Sequence, residues 1–310
     1  MSTKNQRIAY GEAIVELGAK NPNIVVLEAD LGKSTMSFMF GEKYPERYFE
    51  MGIAEANMMS TAAGLAAAGK IAFASTFAVF ASGRAYDQIR QTIAIGKLNV
   101  KVCGSSSGLS DFGDGSTHQA VEDVAIMCAI PNMTVLTPCD AIEARQVVRA
   151  AAEINGPVYM RMYRNEMPDY TNPNDKFEVG KVRVLKDGRD VAIFAHGTMV
   201  EASMKAAEQL EQRGISAKVV NVGTMKPFDN EGVWKIAEGV RAIITAEEHT
   251  YIGGLAQQVA FALRGMGKPI DYVAIEDVFG QSAHGVPELH EYYKLTPERI
   301  AQRAESLLKA

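Results

Sequence analysis

Short apolar runs alternate with amphipathic helical stretches along most of the chain, and this rhythm restricts the fold more than any other feature. In the first half the runs are NIVVLEAD (23–30), IAFAST (71–76), VKVCGSS (100–106), MTVLTP (133–138) and VYMRMY (158–163). They are too continuously apolar for strands with one wet face, so they predict a mostly parallel sheet covered on both sides. NQRIAYGEAIVELGAK (5–20) and EARQVVRAAAEI (143–154) carry the helical spacing between them. The pattern lapses at 165–187, where Pro168 and Pro173 stand among Asn, Asp and Gly. A linker is therefore expected at 169–187.

A second α/β unit follows. DVAIFAHG (190–197), ISAKVVNVGTMKPF (215–228), GVRAIITAEE (239–248) and DYVAIED (271–277) predict strands. TMVEASMKAAEQLEQRG (198–214), GGLAQQVAFALRG (253–265) and TPERIAQRAESLLKA (296–310) predict helices, the last with a Thr-Pro start. The expected fold is α/β with two domains, 1–168 and 188–310, each a mostly parallel sheet with helices on both faces.

The 310 residues suffice for two such cores. A net charge of -5 with no basic block argues against nucleic-acid binding. Cys103, Cys128 and Cys139 lack metal-site spacing and suit a reducing compartment. The polar start does not read as a secretory signal, and the longest apolar stretch is broken by Lys70. A cytoplasmic location is expected.

Three segments carry candidate chemistry. Glu55 follows Gly52 at the head of an Ala-, Gly- and Met-rich helix expected to be packed on most sides. It is either a charge complementing the helix dipole or a carboxyl in an apolar setting that exchanges protons with a ligand. Phe77 and Phe80 follow a strand; taken alone two such phenylalanines are more often core residues, and their other use is as a face for stacking a flat heterocycle, where an aromatic pair adds about 0.5–1.5 kcal/mol beyond burial. SSSGLSDFGDGSTHQAVED (105–123) is a small, polar, glycine-rich loop holding Asp114 and His118. These are a turn with a helix cap, or donors for hydroxyls or an oxyanion. The Gly113-Asp114-Gly115 triplet is not a diphosphate–metal motif, because no Asn-Asn pair follows.

In order, GIAE, STFxxF, DGxTHQ, IPNMTVLTPCD and RNEMP resemble the transketolase family, including its two-gene form. The resemblance spans nearly the whole chain and is most specific from Gly52 to Asp140. It implies a thiamine-diphosphate pyrimidine-binding domain followed by the transketolase C-terminal domain, generally remote from the chemistry. It implies that Glu55 hydrogen-bonds the aminopyrimidine of thiamine diphosphate and promotes proton removal from the thiazolium carbon. Phe80 would stack on the pyrimidine, Phe77 would wall the pocket, and Asp30 would lie near the cofactor and the subunit contact. Asp114 and His118 would bind donor hydroxyls, His118 also touching the cofactor-bound two-carbon unit. Ser34 and Arg164, with Arg7 joining them, would hold the phosphate of a sugar phosphate.

Ser106 stands where many transketolases have a substrate-contacting histidine, so a roomier, less cationic pocket is expected there. Nothing resembles the GDG-to-Asn motif of the diphosphate side. A partner N-terminal transketolase subunit would supply it, with most of the Mg2+ contacts, in a heterotetramer of two copies of each chain. The implied activity is ketol transfer between a ketose phosphate and an aldose phosphate. The alternatives are the beta subunit of a 2-oxo-acid dehydrogenase-type complex and a non-catalytic interaction subunit.

Overall fold

Two sheets organise the chain, each built from the apolar runs and covered by helices on both faces. The computed structural model describes residues 3–309. The larger sheet has seven strands in the order Thr224–Lys226, Thr134–Leu136, Val158–Arg161, Val100–Ser105, Ile71–Phe77, Ile24–Glu28 and Tyr48–Glu50. All pair parallel except Thr224–Lys226. The second sheet runs Ile270–Ile275, Ala242–Thr250, Val191–Ala195, Ala217–Asn221 and Arg183–Lys186, with only the last antiparallel.

Capping residues fix where the helices start. Asn5 accepts from the Arg7 amide and opens helix Gln6–Lys20. Asp140 opens Ala141–Glu153 by accepting from the Glu143 amide. Its other oxygen accepts from the amides of Tyr170 and Thr171, so one buried carboxylate also fastens the chain leaving the first unit.

Three features differ from the sequence-based expectation. The segment 169–187 is not a plain linker, since Arg183–Lys186 forms an edge strand of the second sheet. Thr224–Lys226, from the second half of the chain, extends the first sheet beside Thr134–Leu136. Glu166–Pro168 pairs with Thr3–Asn5 in a small antiparallel ribbon.

The register aligns the carboxyl ends of the central strands. Phe77 lies opposite Ser105, Gly104 opposite Arg161, and Glu28 opposite Ser75. The loops that leave these ends therefore gather at one edge, where open α/β sheets bind ligands. Among the described residues no helix is long and apolar enough to cross a membrane.

Candidate cofactor and substrate site

Glu55 opens helix Glu55–Ala67 and is 1% exposed. Both of its oxygens accept from Arg84, at 2.9 and 3.0 Å. The purely apolar setting expected for Glu55 is therefore corrected: a guanidinium reaches in and gives the carboxyl a cationic partner. The helix is also not packed on most sides, because Asn57, Ser60, Gly64 and Ala67 are exposed. Small residues leave that face open, and Ile53 just before it is 74% exposed.

Arg84 reaches Glu55 because residues Phe80–Arg84 form a π-helical turn, a local widening often found at functional sites. The turn sets the Arg84 guanidinium 4.3 Å from the centre of the Phe80 ring. Phe77 ends the strand Ile71–Phe77, and its ring lies 6.1 Å from that of Phe80 at 13°. His118 meets both rings edge-on, at 5.2 Å from Phe80 and 6.3 Å from Phe77. The structure thus brings Glu55, Phe77, Phe80 and His118 to one place.

The loop 105–123 supplies the neighbouring polar groups. Asp114 is exposed near its tip, and the Nδ1 of His118 shares a hydrogen bond with the Thr117 hydroxyl at 2.9 Å. Asp114 interacts with Asp111, a residue the sequence did not single out. Burial, set against the Arg164 cation and reinforced by Asp114, leaves the Asp111 carboxyl above its usual range. Arg164 pairs with Asp111 at 2.7 Å and sits over the edge of Phe77.

Arg7 approaches from the first helix. Its Nη1 donates to the Ser34 carbonyl at 2.5 Å and its Nε to the Arg164 carbonyl at 3.0 Å. Burial and the nearby Arg164 cation push its pKa down to about 10. Two guanidiniums brought this close suit an anion between or beside them.

Asp30 lies in the turn after strand Ile24–Glu28 and Ser34 in the short helix Gly32–Thr35 that follows, and Glu28 shapes this segment. Its carboxyl is buried and accepts from the amides of Ala29 and Leu31 and the hydroxyls of Thr35 and Ser37. Burial raises its pKa to about 7 against the pull of these donors. Asp30 has a left-handed φ of 61°, and its amide donates to Glu50. The same Glu50 oxygen accepts from Gly52, tying this loop to the segment before Glu55.

Ser106 follows the carboxyl end of strand Val100–Ser105. Its side chain is 0% exposed, its φ is 50°, and its hydroxyl has no hydrogen-bond partner. The chain folds back there, with the Ser107 amide bonded to the Met162 carbonyl. Among the described residues, no group of three or more His, Cys, Asp or Glu side chains is arranged to hold a metal ion. A cavity of about 580 Å³ lies apart from this cluster, between the two units beside Tyr163, Thr198 and His290.

Comparison with known proteins agrees with this layout. The family model for the transketolase pyrimidine binding domain matches residues 2–169, and that for the transketolase C-terminal domain matches 180–300. A protein of Methanocaldococcus jannaschii named "Putative transketolase C-terminal section" is 46% identical over 310 residues, covering 99% of this chain and 97% of that protein. The 6-deoxy-6-sulfo-D-fructose transketolase subunit SqwH of a Clostridium species is 40% identical over 303 residues, covering 97% of this chain and 94% of its own length. A solved structure described as "Split gene transketolase, inactive beta4 tetramer" superposes with a TM-score of 0.90 at 45% identity, covering 98% of each chain. With both of its domains matched in order, and with relatives of its own length, the chain belongs to the transketolase family as the C-terminal subunit of a split transketolase.

Proposed function

We propose that this chain, joined to a partner subunit carrying the diphosphate-binding domain, performs thiamine-diphosphate-dependent ketol (glycolaldehyde) transfer between a ketose phosphate and an aldose phosphate. One observation carries the reading: the Arg84 guanidinium, flat and rich in N–H groups, lies over the Phe80 ring and donates to Glu55. A flat aminopyrimidine with an N–H donor would meet the same two partners in the same place, once Arg84, whose side chain is 49% exposed, swings outward. The residues present therefore fit the pyrimidine end of the cofactor.

Bound there, thiamine diphosphate supplies the carbon nucleophile that accepts and releases the two-carbon unit. Glu55 holds and exchanges a proton at the pyrimidine ring, and the Phe80 face orients that ring with Phe77 behind it. His118, edge-on to both rings, and Asp114 on its loop hydrogen-bond hydroxyls of the donor. Arg164 and Arg7, with Ser34, hold the anionic end. Asp30 lies toward the cofactor and the subunit contact, while Mg2+ is held mainly by the partner. The assembly is a heterotetramer of two copies of each chain, and it works in the cytoplasm.

The reading is tested by mixing the two subunits with thiamine diphosphate, magnesium, a ketose phosphate and an aldose phosphate. Ketol transfer is the expected result, and its absence with a folded, assembled complex would sink the proposal. The anion end gives a second check. Arg164→Ala is expected to raise KM for phosphorylated donors about tenfold to a hundredfold, the loss of one charge-assisted contact, and to leave hydroxypyruvate almost unaffected. The Arg164 carbonyl, which receives Asn5 and Arg7, survives the substitution, so the local backbone keeps its anchors. Equal effects on both donors would make Arg164 a structural partner of Asp111.

A further inference from the structure

The loop proposed to read the donor is closed at its neck. Gly108 and Ala120 exchange both backbone hydrogen bonds, at 3.0 Å each. Everything between them, including Asp114 and His118, hangs from this pinch. The pinch in turn is fastened from the second unit. Glu248, on strand Ala242–Thr250, is fully buried and accepts from the Leu109 amide at 2.7 Å through Oε1. Its Oε2 accepts from the Thr198 hydroxyl at 3.1 Å and from Nε2 of His290 at 2.5 Å. The other side of the neck is held too, since Arg161 donates to both the Ala120 carbonyl and the Glu248 carbonyl. Two more contacts reach the loop itself: Gln119 donates to the Gln281 carbonyl, and the Ala283 amide to the Phe112 carbonyl. A Cβ at Gly108 would collide with the Glu248 carboxyl, so a glycine at that place permits the approach.

A fully buried carboxylate is costly unless paired and fully hydrogen-bonded. Here its two oxygens are divided, one to the loop and one to the second unit. We infer that Glu248, clasped by His290, is a positioning residue that holds the Gly108–Ala120 loop in place for the donor sugar. The inference rests on the proposal that Asp114 and His118 touch the donor.

His290 lies on helix Val286–Tyr292 at the rim of the cavity between the units, and its side chain is 24% exposed, so the clasp is within reach of bulk protons. Burial opposes the His290 cation, but Glu248 outweighs it and Glu201 adds to it, so the imidazole titrates above its usual 6.5. Burial likewise opposes the Glu248 anion, yet His290 and Arg161 hold that carboxyl below its usual 4.5. The groups facing the pair are thus Arg161 and Tyr163 from the first unit and Glu201 and Thr198 at the start of helix Met199–Gln212, while on the helix of His290 itself Glu288 accepts from the His284 amide and Glu291 lines the cavity. A raised histidine contributes fully below its ordinary pKa and loses its contribution as pH rises through the shifted one; the lowered glutamate behaves in the opposite sense. The clasp is therefore complete between about pH 4.5 and 6.5 and slackens on the alkaline side.

His290→Gln keeps an N–H donor and removes the charge. In the full chain, hydrogen exchange at the Leu109 amide and across 107–120, corrected for intrinsic rates, is expected to be about tenfold faster at pH 6 in this variant than in the parent. The parent should approach the variant as pH rises, and amides of strand Val191–Ala195 should not change. In the assembled enzyme the donor KM should rise by a similar factor with kcat and cofactor affinity preserved. Glu248→Gln, which keeps an acceptor for Leu109, should disturb the loop less than Glu248→Ala. Unchanged loop exchange in His290→Gln, or acceleration spread equally into the sheet, would overturn the inference. A loosened loop with an unaltered donor KM would leave the clasp standing and remove Asp114 and His118 from the donor site.

Discussion

Replacing Glu55 by alanine is expected to lower turnover of the assembled enzyme by about a hundredfold or more, the effect of losing a positioned proton-transfer group. The fold should survive. Removing a carboxyl from the first turn of a 13-residue helix frees Arg84, and that guanidinium is half exposed and can be hydrated. Glu55→Gln separates the roles further, because it keeps the shape and a hydrogen-bonding oxygen but cannot give up a proton. The measurement that isolates the role is deuterium uptake at the thiazolium carbon of bound thiamine diphosphate. Both variants should slow that exchange while subunit assembly and melting temperature stay near the parent's. Near-normal exchange in either variant would return Glu55 to the lesser role of a buried ion-pair partner at a helix end.

The larger part of the fold could be read from the chain because its strands are long apolar runs and helices such as Ala141–Glu153, Met199–Gln212 and Pro297–Lys309 are strongly periodic. What escaped is short or marginal. Tyr48–Glu50, Glu166–Pro168 and Thr224–Lys226 have three residues each, too few for any period to declare itself. Lys101 sits inside a buried strand because its ammonium is satisfied by the carbonyls of Ile154 and Gly156, partners fixed only by the folded chain. Within the site, Glu55, Phe77, Phe80 and His118 were named by the resemblance to the transketolase family, since the local pattern left a capping or core role open for each. Arg84 was not, since its approach to Glu55 depends on a π-helical turn that no local pattern announces. Asp111 lay in view within the same loop as Asp114, but its pairing with Arg164 spans 53 residues. The role of Glu248 was least legible of all, because its bond to Leu109 spans 139 residues and joins two domains.

On its own the chain is expected to transfer no ketol unit above background, and to bind thiamine diphosphate at least about a hundredfold more weakly than the assembled enzyme. The physical reason is what the described residues present to solvent. Shortly before buried Glu55 in the chain come Phe49, 37% exposed, and Ile53, 74% exposed, and the exposed residues of helix Glu55–Ala67 are Asn57, Ser60, Gly64 and Ala67. Exposed apolar groups next to a face of small side chains allow another backbone to come close and bury area, as stable interfaces do. A partner docked there would close the open side of the site and bring the diphosphate and metal contacts with it. A solved relative that matches this chain at 45% identity is described as an inactive beta4 tetramer. Ile53→Asp should therefore weaken binding of the partner, read by titration calorimetry. Activity should appear only on mixing the two subunits with magnesium and cofactor, and should saturate at one partner per chain. Robust turnover by this chain alone would refute the split site, and full activity from the Ile53→Asp complex would move the interface to another face.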